Sequence, residues 1–291
     1  MTVPRWPGDP AMAPVSGPVA TARQPVRVHR MRPARGLSCQ RVLLLNGLAG
    51  SPTIWRPFAQ RVPAEIELWG AELPWASGGD PRWQAAGGTT TDVVAEALAG
   101  VPRGADVVIA HSFAANALLE LLCRRVPDRL QAVVLVSPFY RATPDRFDWS
   151  DISFYLNNFH RILAEGIRVS AAQPPADEVV ERMALRLRER IGPYGWMRFF
   201  DAYLRTPFLD LTGVLVPVLV IGGRRDIAVP IEDVEALAQA LPAGRLARVA
   251  ASGHFAMAEH PPWFTSVVQD FLAVNAPPSP LPIVDVPLEL L

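Results

Sequence analysis

Short apolar runs separated by longer amphipathic stretches set the pattern of this chain. Runs rich in Val, Ile and Leu occur at Arg41–Leu45, Glu65–Trp69, Asp106–Ala110, Ala132–Val136, Val216–Ile221 and Ala247–Ala250, with Val26–Arg30 as a candidate edge strand before them. Apolar character that is continuous rather than alternating marks strands buried on both faces, as in a parallel sheet covered by helices. Between the runs, apolar residues recur at helical spacing: Val94, Ala97, Leu98 and Val101; Val234, Leu237, Ala238 and Leu241; Phe264, Val267, Val268 and Phe271. The stretch after Phe113 is apolar almost all round, through Ala114, Ala117, Leu118, Leu121 and Leu122, which predicts a central helix buried under the sheet.

From Arg141 to about Leu211 the strand signal stops and aromatic-rich helical text replaces it. A helical insertion of this length between two strands predicts a cap, residues 141–211, over a core formed by residues 25–140 and 212–274. Residues 1–24 form a Pro-rich leader, expected to be disordered, and residues 275–291 a Pro-rich tail, because Pro removes backbone donors and blocks regular structure. The leader lacks the continuous apolar core of a signal peptide, and no stretch reaches the ~18 apolar residues of a membrane span. A cytoplasmic protein is the expectation, with oligomeric state left open.

Composition narrows the chemistry. The 28 basic residues are all Arg and are balanced by 28 acidic ones, so no charge excess exists to grip nucleic acid or an anionic membrane. Without Lys there is no Schiff-base chemistry and no P-loop lysine, and the chain has no GxGxxG motif. Two cysteines, Cys39 and Cys123, read as buried free thiols. The five His are scattered, with His29, His160 and His260 isolated, so neither a metal site nor a cofactor is expected.

The sharpest feature is the junction VVIA-His111-Ser112-Phe113-AANALL, where a buried strand turns into the buried helix with a serine at the bend. A serine there sits on a sharp turn that points its oxygen out of the sheet and needs small neighbours two positions away; Ala110 and Ala114 fill those places. The bland alternative is a serine that merely caps the helix. Asp226 follows the next long apolar run, and His254 follows the one after it. A serine nucleophile needs a base, and the base needs a carboxylate to hold its tautomer; Ser112, His254 and Asp226 can fill those roles, each at the carboxyl end of its strand. Asp145, Asp148 and Asp151 are competing acids in the cap. Backbone N–H groups of Phe113 and Leu48, the latter in the loop LNGLAGS, are candidate donors to a developing oxyanion. His111 is expected to pack rather than react. Trp149, Phe154, Tyr155, Phe159, Trp196 and Phe199 are candidate substrate contacts, though much of that stripe must pack the cap onto the body.

Taken together, LNGLAGS, the serine bend, the turn carrying Asp226 and the Gly-His pair at 253–254 make residues 40–274 resemble the α/β-hydrolase superfamily. Asn46 stands where that family usually has His, and Ala110 and Ala114 where it usually has Gly. The resemblance implies an α/β fold: a mostly parallel eight-stranded sheet, helices on both faces, and a helical cap inserted after the sixth strand. It also implies serine-dependent hydrolysis of an ester or thioester of a medium-sized hydrophobic small molecule. The same triad would serve a lyase or cyclase performing elimination, cyclisation or C–C cleavage in bacterial secondary metabolism, and the same scaffold a ligand-binding protein without catalysis.

Overall fold

A computed structural model describes residues 25–35, 40–77, 79 and 88–275. The proposed leader, the proposed tail beyond Asn275, and Cys39 lie outside the described residues. Every apolar run noted above forms a strand: β1 (Arg27–Arg32), β2 (Gln40–Leu45), β3 (Ile66–Glu72), β4 (Val107–His111), β5 (Ala132–Val136), β6 (Val218–Gly223) and β7 (Gly244–Val249). They form one seven-stranded sheet in the order β1-β3-β2-β4-β5-β6-β7. All neighbours run parallel except β1, which pairs antiparallel with β3 at the edge.

The helices are α1 (Arg56–Ala59), α2 (Thr90–Ala99), α3 (Phe113–Arg124), α4 (Trp149–Ser170), α5 (Asp177–Leu204), α6 (Ile231–Ala240), α7 (Ala256–Glu259) and α8 (Pro261–Asn275). Alternate strand residues feed two separate cores, as the period of two requires. Leu43, Leu45, Val108, Ala110 and Val133 meet α2, α3 and α6. Val42, Leu44, Ile109, Val134 and Ile221 meet α1, α7 and α8. Each fully buried Val or Leu stabilises the sandwich by roughly 1.5–3 kcal/mol. The central strand β4 and helix α3 are buried along almost their whole length, so the bend between them is held from both layers.

Three expectations need correction. The sheet has seven strands among the described residues rather than eight, because β1 is already the edge and no described strand lies beyond it. Among the described residues the helical insertion therefore follows the fifth strand, β5, rather than a sixth. Cys123 is a half-buried free thiol rather than a fully buried one, and burial pushes its pKa up to about 11.

The insertion is built from α4 and α5. Asp148 caps α4, accepting from Ser150 N–H at 2.7 Å and Asp151 N–H at 3.2 Å, while Asp151 answers with a bond from Asp148 N–H at 3.0 Å. Helix α5 breaks at Gly192, whose φ of 63° begins a new helical axis ahead of Pro193. Arg141 ties the insertion to the body through Asp233 of α6 and Asp151 of α4. No described helix is long and apolar enough to cross a membrane.

Candidate functional site

Ser112 closes β4 and opens α3 in a backbone conformation, φ 56° and ψ −126°, that favours glycine. The surroundings hold it there: Ser112 N–H donates to Val136 O at 2.8 Å, and Ser112 O accepts from Ala115 N–H at 2.8 Å. Its side chain makes no helix-capping bond. The hydroxyl instead donates to His254 Nε2 at 3.0 Å. Gly47 passes so close that a Cβ there would lie 2.8 Å from Ser112 Cβ.

His254 stands on the loop after β7, where its Nδ1–H donates to Asp226 Oδ2 at 2.8 Å. Asp226 Oδ1 accepts from Ala228 N–H at 2.8 Å and Val229 N–H at 3.1 Å, which aims the other oxygen at the imidazole. The two loops touch because β6 ends in Gly223, where a Cβ would fall 2.3 Å from the Gly253 and Ser252 carbonyl oxygens. Burial pushes the His254 pKa down, but the charge and hydrogen bond of Asp226, helped by Glu165 and Glu259, carry it above its ordinary value. The structure thus brings Ser112, His254 and Asp226 into one hydrogen-bonded line.

His111 has a supporting place. Its Nε2–H donates to His254 O at 3.0 Å, and burial, then the neighbouring His254, holds its pKa well below the ordinary imidazole value. It is a neutral strut.

Phe113 is the first residue of α3, and its N–H belongs to the set that a helix leaves without an internal partner. Leu48 follows Gly47, which passes against Ser112, and lines the same cavity as the serine; its loop is fastened from within: Asn46 donates to Gly50 O at 3.1 Å, Trp75 Nε1–H donates to Asn46 O at 3.1 Å, and Ala49 N–H donates to Trp75 O at 2.8 Å. Asn46 is buried and its amide N–H holds the loop, while the residue also borders the cavity. The helix N-terminus beside the serine favours negative charge at this point.

A cavity of about 490 Å³ opens above Ser112 and His254. Its walls come from the Asn46–Ser51 loop, from Phe159, Ile162, Leu163 and Gly166 of α4, and from Met183 and Leu187 of α5. Arg186 and Arg190 are its charged members outside the histidines.

The aromatic candidates separate. Phe159 lines the cavity. Trp149 is 81% exposed at the start of α4, and Phe154 also faces outward. Tyr155 is buried and donates to Ala228 O at 2.8 Å, while Trp196 and Phe199 pack with it into an aromatic cluster behind the cavity wall. The reason is helical phase: residues 159, 162, 163, 166 and 167 share the face of α4 that meets the cavity, and that face is mostly aliphatic. Phe139 is the hub of the cluster, edge-on to Tyr155, Phe199 and Tyr203 and 5.9 Å from the His254 ring. Asp145, Asp148 and Asp151 are spent locally, on Thr143, the α4 cap and Arg141 respectively.

Sequence reasoning missed Trp75, Asn116, Phe139, Glu165 and Glu259. Only Asn116 carried a signal, as a polar residue in an otherwise apolar helix. It is 4% exposed, donating to Phe139 O at 2.6 Å and accepting from Phe139 N–H at 3.0 Å.

A family model described as the alpha/beta hydrolase family matches residues 42–267. The chain is 26% identical over 248 residues to the pimeloyl-[acyl-carrier protein] methyl ester esterase of Aromatoleum aromaticum, covering 79% of this chain and 96% of that one. Among solved structures, a bacterial membrane phospholipase A superposes with a TM-score of 0.65 at 18% identity, covering 86% of this chain and 87% of that one. A bromoperoxidase from Bacillus anthracis does so with a TM-score of 0.61 at 19% identity, covering 86% and 97%. At those identities the superpositions speak for the fold alone.

Proposed function

The chain belongs to the alpha/beta hydrolase family, and from that premise we propose that it hydrolyses an ester or thioester of a medium-sized hydrophobic small molecule through an acyl-enzyme on Ser112. One observation carries the reading: the Ser112 hydroxyl is 3.0 Å from His254 Nε2, His254 Nδ1 is 2.8 Å from Asp226, and Ser112 and His254 line a largely apolar cavity. Residues 141–211 act in this reading as a cap that shapes the cavity. The esterase activity named for the Aromatoleum relative fits the same chemistry.

Ser112 Oγ attacks the substrate carbonyl as its proton passes to His254 Nε2. The new oxyanion is received by the N–H groups of Phe113 and Leu48, and Asp226 stabilises the imidazolium. His254 then gives its proton to the leaving alcohol or thiol. Water, activated by the same imidazole, releases the acid and restores Ser112.

The test is intact-mass labelling with a fluorophosphonate on the wild type and on Ser112→Ala, followed by an ester panel in oxygen-18 water. A single adduct absent from the variant, with one solvent oxygen in the acid product, is the expected result. A labelled serine with no solvent oxygen in any product would redirect the reading to elimination or cyclisation. No adduct would leave a binding protein on this fold.

A further inference from the structure

The backbone of the His254 loop is held from more than one side. Glu259 of α7 accepts from Gly253 N–H at 2.7 Å and from Phe255 N–H at 2.8 Å. His111 of β4 holds the His254 carbonyl. Glu165, which belongs to α4 of the insertion rather than to the body, approaches from another side against Gly253.

The contact is tight. A Cβ on Gly253 would lie 2.0 Å from Glu165 Oε1, so the carboxylate occupies the space that a side chain at 253 would need. The next residue of α4 is Gly166, where a Cβ would lie 2.7 Å from the Phe255 ring. Adjacent residues of the insertion thus dock on both neighbours of His254.

Glu165 is a costly choice for packing alone. Half-buried, it faces Glu259 and Asp226, both acidic, and among the described residues it has no Arg partner. Burial first, then Glu259, pushes its pKa up to about 7. The positive charge facing all three carboxylates is the imidazolium that His254 becomes when it takes the serine proton. An interaction that is unfavourable at rest and favourable in the charged intermediate is the kind that raises a rate.

We propose that Glu165 is a positioning residue for His254, fixing the histidine loop from the insertion and supplying negative charge to the imidazolium formed when Ser112 attacks. The inference rests on the Ser112 hydrolase reading. No bond to Glu165 forms or breaks: the proton goes from Ser112 Oγ to His254 Nε2 and on to the leaving group.

The test is the rate of fluorophosphonate labelling between pH 5 and 9 for the wild type and Glu165→Gln, with the His254 imidazole titrated by NMR alongside. Glu165 is ionised in the alkaline half of this range, where loss of its negative charge is expected to lower the plateau rate several-fold and to move both midpoints down by about half a pH unit, the two profiles converging toward pH 5. A role in packing alone would change the plateau or the melting temperature and leave the midpoints in place, and that result overturns the proposal. Should Glu165→Gln fail to fold, Glu165→Asp against Glu165→Asn makes the same comparison at matched length. Absence of any wild-type adduct would instead defeat the hydrolase reading, and this inference with it.

Discussion

Asn116→Ala tests how the site is braced. Asn116 lies in the second turn of α3 and binds both the N–H and the C=O of Phe139, the residue whose ring joins the aromatic cluster to His254. Truncation leaves one buried donor and one buried acceptor of Phe139 without partners. Each orphaned group costs about 1–3 kcal/mol, so the pair costs roughly 2–6 kcal/mol, with partial relaxation favouring the lower half. In a chain of this size that corresponds to a fall in melting temperature of roughly 5–15 °C. The assay is urea unfolding followed by tryptophan fluorescence, comparing midpoints at constant slope. Phe139→Leu is the companion variant, because it removes the ring and spares both backbone bonds. The two effects should be separable: Asn116→Ala loses stability first, and Phe139→Leu slows fluorophosphonate labelling more than its stability loss explains. A change below about 0.5 kcal/mol for Asn116→Ala would refute the reasoning, since it would mean that the Phe139 backbone finds other partners at no cost.

Other outcomes are equally open to measurement. Asp226→Asn should leave the fold intact and reduce turnover by about 10⁴-fold, read from initial rates on the best ester found. Gly47→Ala places a methyl group against Ser112 and should lower labelling by about 10²-fold while costing about 1–3 kcal/mol of stability; an unchanged rate would show that the loop yields freely. Because the His254 pKa lies above its ordinary value and the base must be neutral, kcat/KM should fall as the pH drops, with its midpoint above 6.5. Glu165 gives a stability signature of the opposite sense. Its folded pKa of about 7 exceeds the unfolded value, so the stability it contributes is full below about pH 4.5 and is lost as pH rises through 7. For a half-exposed group this amounts to about 1 kcal/mol, and thermal scans of Glu165→Gln should lack that decline.

What the sequence reveals and what it hides have physical causes. Strands are legible because a sheet buried on both faces demands unbroken apolar runs, and the run Ala132–Val136 coincides with β5 at both ends. The residues that meet at Ser112 were legible because each sits beside a strand end with a local signature. Trp75 was not: its partner Asn46 is 29 positions away, and nothing local distinguishes an indole that braces a loop from one that fills a core. Glu165 looks like any acid on an amphipathic helix until the third dimension places it against Gly253. The aromatic candidates were misdirected because aromaticity reports bulk, whereas helical phase decides which bulk meets the cavity. Trp149 and Phe159 are on the same helix, yet one faces solvent and the other the cavity above Ser112.

Helix α4 lines the cavity with Phe159, Ile162 and Leu163 and, one residue before Gly166, presses Glu165 against the histidine loop. The segment that walls the cavity therefore also touches the loop of the residue we propose as the proton carrier. Exchanging this insertion for one from another family member would be no clean transplant. A graft chosen for its pocket would bring its own charge to position 165, so new specificity and a new working pH would arrive together, and selection acting on either would drag the other along.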